Sequence, residues 1–193
     1  AYNAICEFLG ANWYALAGTL ILAAGVVVHL VYATVLTLHN RSSRGSQRYA
    51  MTAEPEGVTW ASRNMYVLGI IIVLGLLLHL YNFWYNMQFA EIIGNHELGP
   101  FPPADGAAYI AALFSSPVYC IIYLVWFAAI WFHLTHGFWS AFHTIGWDNQ
   151  TWLPRLKRIA NVVATIVFLC FALVVIVFYL RSLGVCGGSC AGF

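Results

Sequence analysis

Four histidines, His29, His79, His133 and His136, lie in stretches whose central portions hold no Asp, Glu, Lys or Arg. An ionisable side chain at membrane depth is costly and is a functional-site hypothesis by default. Imidazole is an axial ligand of haem iron, and two facing helices that each supply one His can sandwich a porphyrin in a bundle core. The competing reading is hydrogen bonding between helices. One isolated His would favour it, whereas several at paired depths favour ligation.

Depth follows from the helical rise. His29 is twelve residues before Arg41 and His136 twelve before Asp148, so both lie roughly 18 Å from the same polar boundary. His79 is sixteen residues after Arg63, about 24 Å from that boundary, in a different layer. This predicts one haem between His29 and His136 and a second whose first ligand is His79. His133, fifteen residues before Asp148, resembles His79 in depth yet shares a helical face with His136, so depth alone does not choose between them. Gly137, Gly25 and Gly75 would leave room for a porphyrin edge, and they suit close helix packing equally well. His39, His96 and His143 sit near span ends and are expected to face water. A covalent c-type haem is excluded, because no CxxCH occurs.

The elements that position these residues are four apolar runs at about 13–38, 65–89, 117–143 and 160–181, each near or beyond the ~20 residues that cross a hydrocarbon core as helix. Of 193 residues, 62% are hydrophobic and 8% charged, against the roughly 25% charged in a soluble domain. The expected fold is an all-α transmembrane four-helix bundle forming one haem-binding domain over 1–193. With a net charge of +1 and no basic patch interleaved with aromatics, nucleic acid is not a partner. No P-loop or dinucleotide fingerprint occurs.

Lys and Arg set the expected orientation. Arg41, Arg44, Arg48 and Arg63 fall in one connection and Arg155, Lys157 and Arg158 in another, so loops 39–64 and 144–159 are expected in the cytoplasm. The N-terminus, the loop 90–116 with Glu91, Glu97 and Asp105, and the C-terminus are expected outside. Cys186 and Cys190 in that tail are a possible oxidised pair, while Cys120 and Cys170 read as small apolar fillers. The tryptophans near span ends read as an aromatic belt.

Two stretches carry a resemblance. Trp60-Ala61-Ser62-Arg63-Asn64-Met65 followed by Leu77-Leu78-His79-Leu80-Tyr81-Asn82-Phe83-Trp84-Tyr85 is one. Phe132-His133-Leu134-Thr135-His136-Gly137-Phe138-Trp139-Ser140-Ala141-Phe142-His143-Thr144-Ile145-Gly146-Trp147 is the other. Together they resemble the cytochrome b subunit of succinate dehydrogenase and fumarate reductase, in the single-subunit dihaem form of menaquinone-using bacteria. The resemblance implies five helices and two b haems in a bacterial cytoplasmic membrane. His29 matches the second-helix ligand, His79 the third-helix ligand and His136, through the His-Gly pair, the fourth-helix ligand, which selects His136 over His133.

In that family the His79 haem takes its other ligand from a first helix. Here the opening Ala1-Tyr2-Asn3-Ala4-Ile5-Cys6-Glu7-Phe8-Leu9 resembles the connector after it, so the chain is expected to be a fragment lacking that helix. Otherwise the second haem would be absent or held differently, through His133. The implied function is electron transfer between a flavoprotein, an iron–sulfur subunit, these haems and membrane menaquinone, with no succinate-oxidising site in this chain. Glu7 is a candidate for the quinone or proton site, with a solvated loop carboxylate as its alternative, and Arg63 a candidate contact for a haem propionate. The nearest rival is the cytochrome b anchor of a hydrogenase or formate dehydrogenase. A rival of another class is a haem-free scaffold or transporter whose histidines bind metal or relay protons.

Overall fold

The structure, a computed structural model, describes residues 2–43, 59–147 and 149–185. Arg44, Arg48, Asp148, Cys186 and Cys190 lie outside the described residues. Those described form helices and connections with no strand among them. In chain order they are α1 (Tyr2–Ala11), α2 (Trp13–Ser43), α3 (Trp60–Arg63) and α4 (Met65–His79), which runs into a π-helical segment (Leu80–Phe89). There follow α5 (Ala90–Ile93), α6 (Gly106–Leu113), α7 (Pro117–Thr144) and α8 (Trp152–Ser182).

Four of these stretches are long and apolar enough to cross a membrane: Trp13–Ser43, Met65–Ile93, Pro117–Thr144 and Trp152–Ser182. The chain is thus an all-α protein of the multi-pass membrane type, and each expected run has its helix. The fourth starts eight residues before the expected 160. Asn149 accepts hydrogen bonds from the backbone N–H of Thr151 and Trp152, and Pro154 falls in the first turn, where its missing N–H costs nothing. A helix can therefore begin before the basic cluster, with Arg155, Lys157 and Arg158 on its first turns.

Helix ends follow local chemistry. Thr59 caps α3 reciprocally with Ser62, Asp105 caps α6 by accepting from Ala108 N–H at 3.2 Å, and Pro117 takes the first position of α7. After α7, Gly146 takes φ 87°, a conformation L side chains rarely adopt. This lets Trp147 N–H return to the Phe142 carbonyl at 2.9 Å and stop the helix.

The core lies between α4, α7 and α8. Small residues of α8, Ala160, Ala164 and Ala172, are buried and permit close approach, as small residues do where apolar surface alone drives no association. Polar bonds add to the packing. Trp131 Nε1 of α7 donates to Thr165 Oγ1 of α8 at 3.0 Å, Trp126 Nε1 to the Ile72 carbonyl of α4 at 3.0 Å, and Asn82 Nδ2 to the Tyr123 hydroxyl at 3.2 Å. By contrast α2 has no buried residue. At the end away from Lys157, α1 lies across α6 through two bonds of Asn3: its amide donates to Asp105 Oδ1 at 2.8 Å and accepts from Ala107 N–H at 3.0 Å.

Candidate functional site

His29 projects from α2, and His133 and His136 from α7, one helical turn apart. The ring centres of His29 and His133 are 6.1 Å apart, with planes at 75°. With metal–imidazole bonds of roughly 2 Å, two imidazoles trans on one metal hold their ring centres roughly 6 Å apart. The observed 6.1 Å agrees with that spacing and is equally that of an edge-to-face ring contact. His29 is exposed although it sits well inside an apolar helix, a costly arrangement in lipid unless another group covers it.

His136 turns elsewhere. Its ring packs on Trp139 at 4.9 Å and it lines a cavity of about 320 Å³ with Thr59, Trp60, Lys157 and Asn161. The resemblance assigns His136 as the partner of His29, whereas the ring contact observed for His29 is with His133. Depth counting could not foresee this, because it fixes height along the helix and not the direction a side chain takes around it.

His79 ends the regular part of α4, and the π-helical segment begins at the next residue. Such widening is rare and is frequent at functional sites. It leaves the Asn86 amide donating to the Tyr81 and Asn82 carbonyls. The imidazole packs among Phe83, Trp126 and Tyr123, at 5.0, 5.5 and 6.2 Å. It faces an elongated apolar cavity of about 400 Å³ between α4, α7 and α8, which runs from Tyr2 to Leu134.

A shared feature joins three of the four histidines. Nδ1 of His79, His133 and His136 is buried without a hydrogen-bond partner. An orphaned buried polar atom costs about 1–3 kcal/mol, and hydrogen bonding between helices does not account for these three atoms. Of the three, His79 borders the apolar cavity and His136 the smaller one, while His133 lines neither; imidazole is a ligand haem iron accepts. Among the described residues no group of three or more His, Cys, Asp or Glu could hold a metal ion.

No family model, curated protein or solved structure matches the chain.

Other expected residues divide. Glu7 is exposed on α1 and lines neither cavity. Arg63 ends α3, exposed, and does not line the cavity beside His136. The cation that does is Lys157, its Nζ 4.4 Å from the Trp139 ring centre. Lys157 was hidden in the sequence because the positive-inside pattern already accounted for it, although its spacing of four from Asn161 puts both on one face of α8. His39, His96 and His143 are exposed, and His96 lies 3.8 Å from Glu91.

Gly75 proves to be a packing residue, since a Cβ there would collide with the Trp126 indole. Gly25 has nothing within 4 Å, and a Cβ on Gly137 would meet only His133 at 3.8 Å. Cys120 is buried and bonded to the Phe114 carbonyl, while Cys170 is exposed on α8. At the mouth of the larger cavity, burial and then the Cys6 thiol push the Tyr2 phenol up to about 12, so it stays protonated at neutral pH.

Proposed function

We propose that this chain is the membrane-anchor cytochrome b of a succinate:menaquinone oxidoreductase, passing electrons between an iron–sulfur subunit and membrane quinone through b haems. The observation that carries the haem reading is the 6.1 Å His29–His133 pair across α2 and α7. The identity of the complex rests on the two long motifs around His79 and His136. On this reading the chain lies in a bacterial cytoplasmic membrane, with the Lys157 end toward the cytoplasm and toward the flavoprotein and iron–sulfur subunits.

His29 and an α7 histidine would hold the first haem. Ring spacing favours His133, motif position His136. His79 would hold the second haem. Bound haem supplies one-electron chemistry. The chain supplies orientation and a dry, apolar surround: Phe83, Tyr123 and Trp126 enclose His79 and exclude water from it.

A reduced-minus-oxidised spectrum of the purified protein tests the haem reading. The b-type bands are expected, and their absence sinks it. His29→Ala and the replacement of its true α7 partner should remove the same component, and His79→Ala the other. Co-purification with a succinate-oxidising flavoprotein is expected; a hydrogenase or formate dehydrogenase in its place would transfer the chain to that rival.

A further inference from the structure

The end of the bundle away from Lys157 carries a helix with two unlike faces. Toward the protein, α1 turns Asn3, Cys6 and Gly10, which share one face at spacings of three and four. The Asn3 side chain donates to Asp105 and accepts from the Ala107 N–H of α6. Cys6 Sγ seats on Gly106, where a Cβ would come within 2.7 Å of it, and a Cβ on Gly10 would lie 3.4 Å from the Glu91 side chain. The opposite face presents Ala4, Ile5 and Phe8, with Leu9 beside them, all exposed. Ile5 is 55% and Phe8 64% exposed, and Glu7, on the flank, is the one charged residue of the helix.

We propose that α1 is an interfacial helix whose Ile5–Phe8 face is covered by membrane lipid at the boundary between headgroups and acyl chains. Its depth follows from α2, whose 31 residues reach roughly 46 Å against a hydrocarbon core of about 30 Å. The start of α2 therefore stands in the headgroup zone. Trp13 and Tyr14 mark that start, in contact at 4.0 Å and both exposed, as aromatic residues are at a membrane interface. Phe8 and Leu9 lie about one helical turn before them. Adjacent large apolar side chains facing water would be costly, and such a patch marks a membrane or protein contact. A protein partner would meet apolar anchors ringed by polar residues. Here Asn3 is engaged with α6, and the apolar surface continues through Trp13 and Tyr14 into α2, a span with no buried residue. A helix of this kind sinks its apolar face about 5–10 Å into the boundary. Held by lipid on one side and by α6 on the other, α1 keeps Tyr2 at the mouth of the larger cavity. This contact does not depend on haem.

The test uses the full chain, with the subunits that co-purify with it, in phosphatidylcholine nanodiscs. The photoreactive residue 4-benzoylphenylalanine replaces Ile5, Glu7 or Phe8 in turn, and the irradiated samples are analysed by mass spectrometry. Monodisperse elution and an unchanged helical circular-dichroism spectrum identify the variants that fold. At positions 5 and 8 the probe should form phosphatidylcholine adducts several times more often than at position 7. Position 5 reads the same face if the Phe8 variant does not fold. Adducts formed mainly with another polypeptide, or with another part of this chain, would overturn the proposal and make the face a protein contact. Lipid adducts no more frequent at positions 5 and 8 than at position 7 would overturn it as well, since the face would then lie in water.

Discussion

Two helices of equal length, α2 and α8, stand on either side of the α4–α7 pair and differ in what holds them. Each has 31 residues, but α8 buries Leu156, Ala160, Ala164, Ala172 and Val175 and α2 buries none. On the α8 side Tyr123 is 2% exposed, ringed by Phe114, Trp126, Phe127 and Phe83. On the α2 side the residue that faces α7 is His29. In lipid, apolar surface alone does not drive helices together, so a span lacking small-residue contacts needs a polar or cofactor link. The contrast teaches that hydropathy identifies both helices as spans but says nothing of how either is held.

Removal of the largest enclosed side chain should break the contrast most visibly if it is false. Tyr123→Ala deletes a ring touched by five others and the acceptor of the Asn82 amide. The cost expected is about 3–5 kcal/mol, the range for large aromatic truncations in cores, read as a fall in the midpoint of unfolding in detergent. Leu22→Ala, at a side chain 71% exposed on α2, should stay within about 0.5 kcal/mol. Equal losses would mean that the two sides are packed alike.

Glycines give a second, smaller contrast with opposite signs. Alanine is intrinsically better than glycine in a helix interior by about 1 kcal/mol, so Gly25→Ala, with open space around it, should be neutral or slightly stabilising. Gly75→Ala drives a methyl into the Trp126 indole, which is pinned by its bond to the Ile72 carbonyl. It should lose about 1–3 kcal/mol through overpacking despite the better propensity. Gly25→Leu sharpens the comparison further: the bundle should remain intact while haem content falls, if the open side of α2 is where the first haem sits. Unaltered haem content would detach Gly25 from that site.

How much of this was legible from sequence depends on which interaction decides. The four spans were, because each apolar run exceeds the width of the bilayer core and ends in polar residues. The early start of α8 was not, since Arg155, Lys157 and Arg158 look like a loop until the Asn149 cap is seen. The π-helical widening after His79 was also hidden: Leu80–Phe89 has the composition of an ordinary membrane helix, and hydrogen-bond register is not a property of composition. The histidines were legible as a set because imidazole in lipid is anomalous. The meeting of His29 with His133 depends on the rotation of α2 about its axis, which a helix apolar on all sides does not encode. The same limit explains Gly75, whose spacing from His79 suggested a porphyrin edge while its neighbour is Trp126.

The smallest effect concerns the polar tie on the packed side. Trp131 Nε1 and Thr165 Oγ1 join α7 to α8 at 3.0 Å, next to the buried Ala164. Although lipid offers no competing water, measured interhelical bonds in membranes average only about 0.6 kcal/mol. Thr165→Val keeps the shape and removes the acceptor, and Trp131→Phe removes the donor with some ring volume. If the bond is the shared contribution, Thr165→Val should cost about 0.6 kcal/mol in the native background and nearly nothing in Trp131→Phe. Full additivity in that double-mutant cycle would show that Trp131 holds α8 by packing alone. The packed side would then owe its cohesion to the alanine stripe of α8 and the rings around Tyr123, and the difference from α2 would reduce to side-chain size and shape.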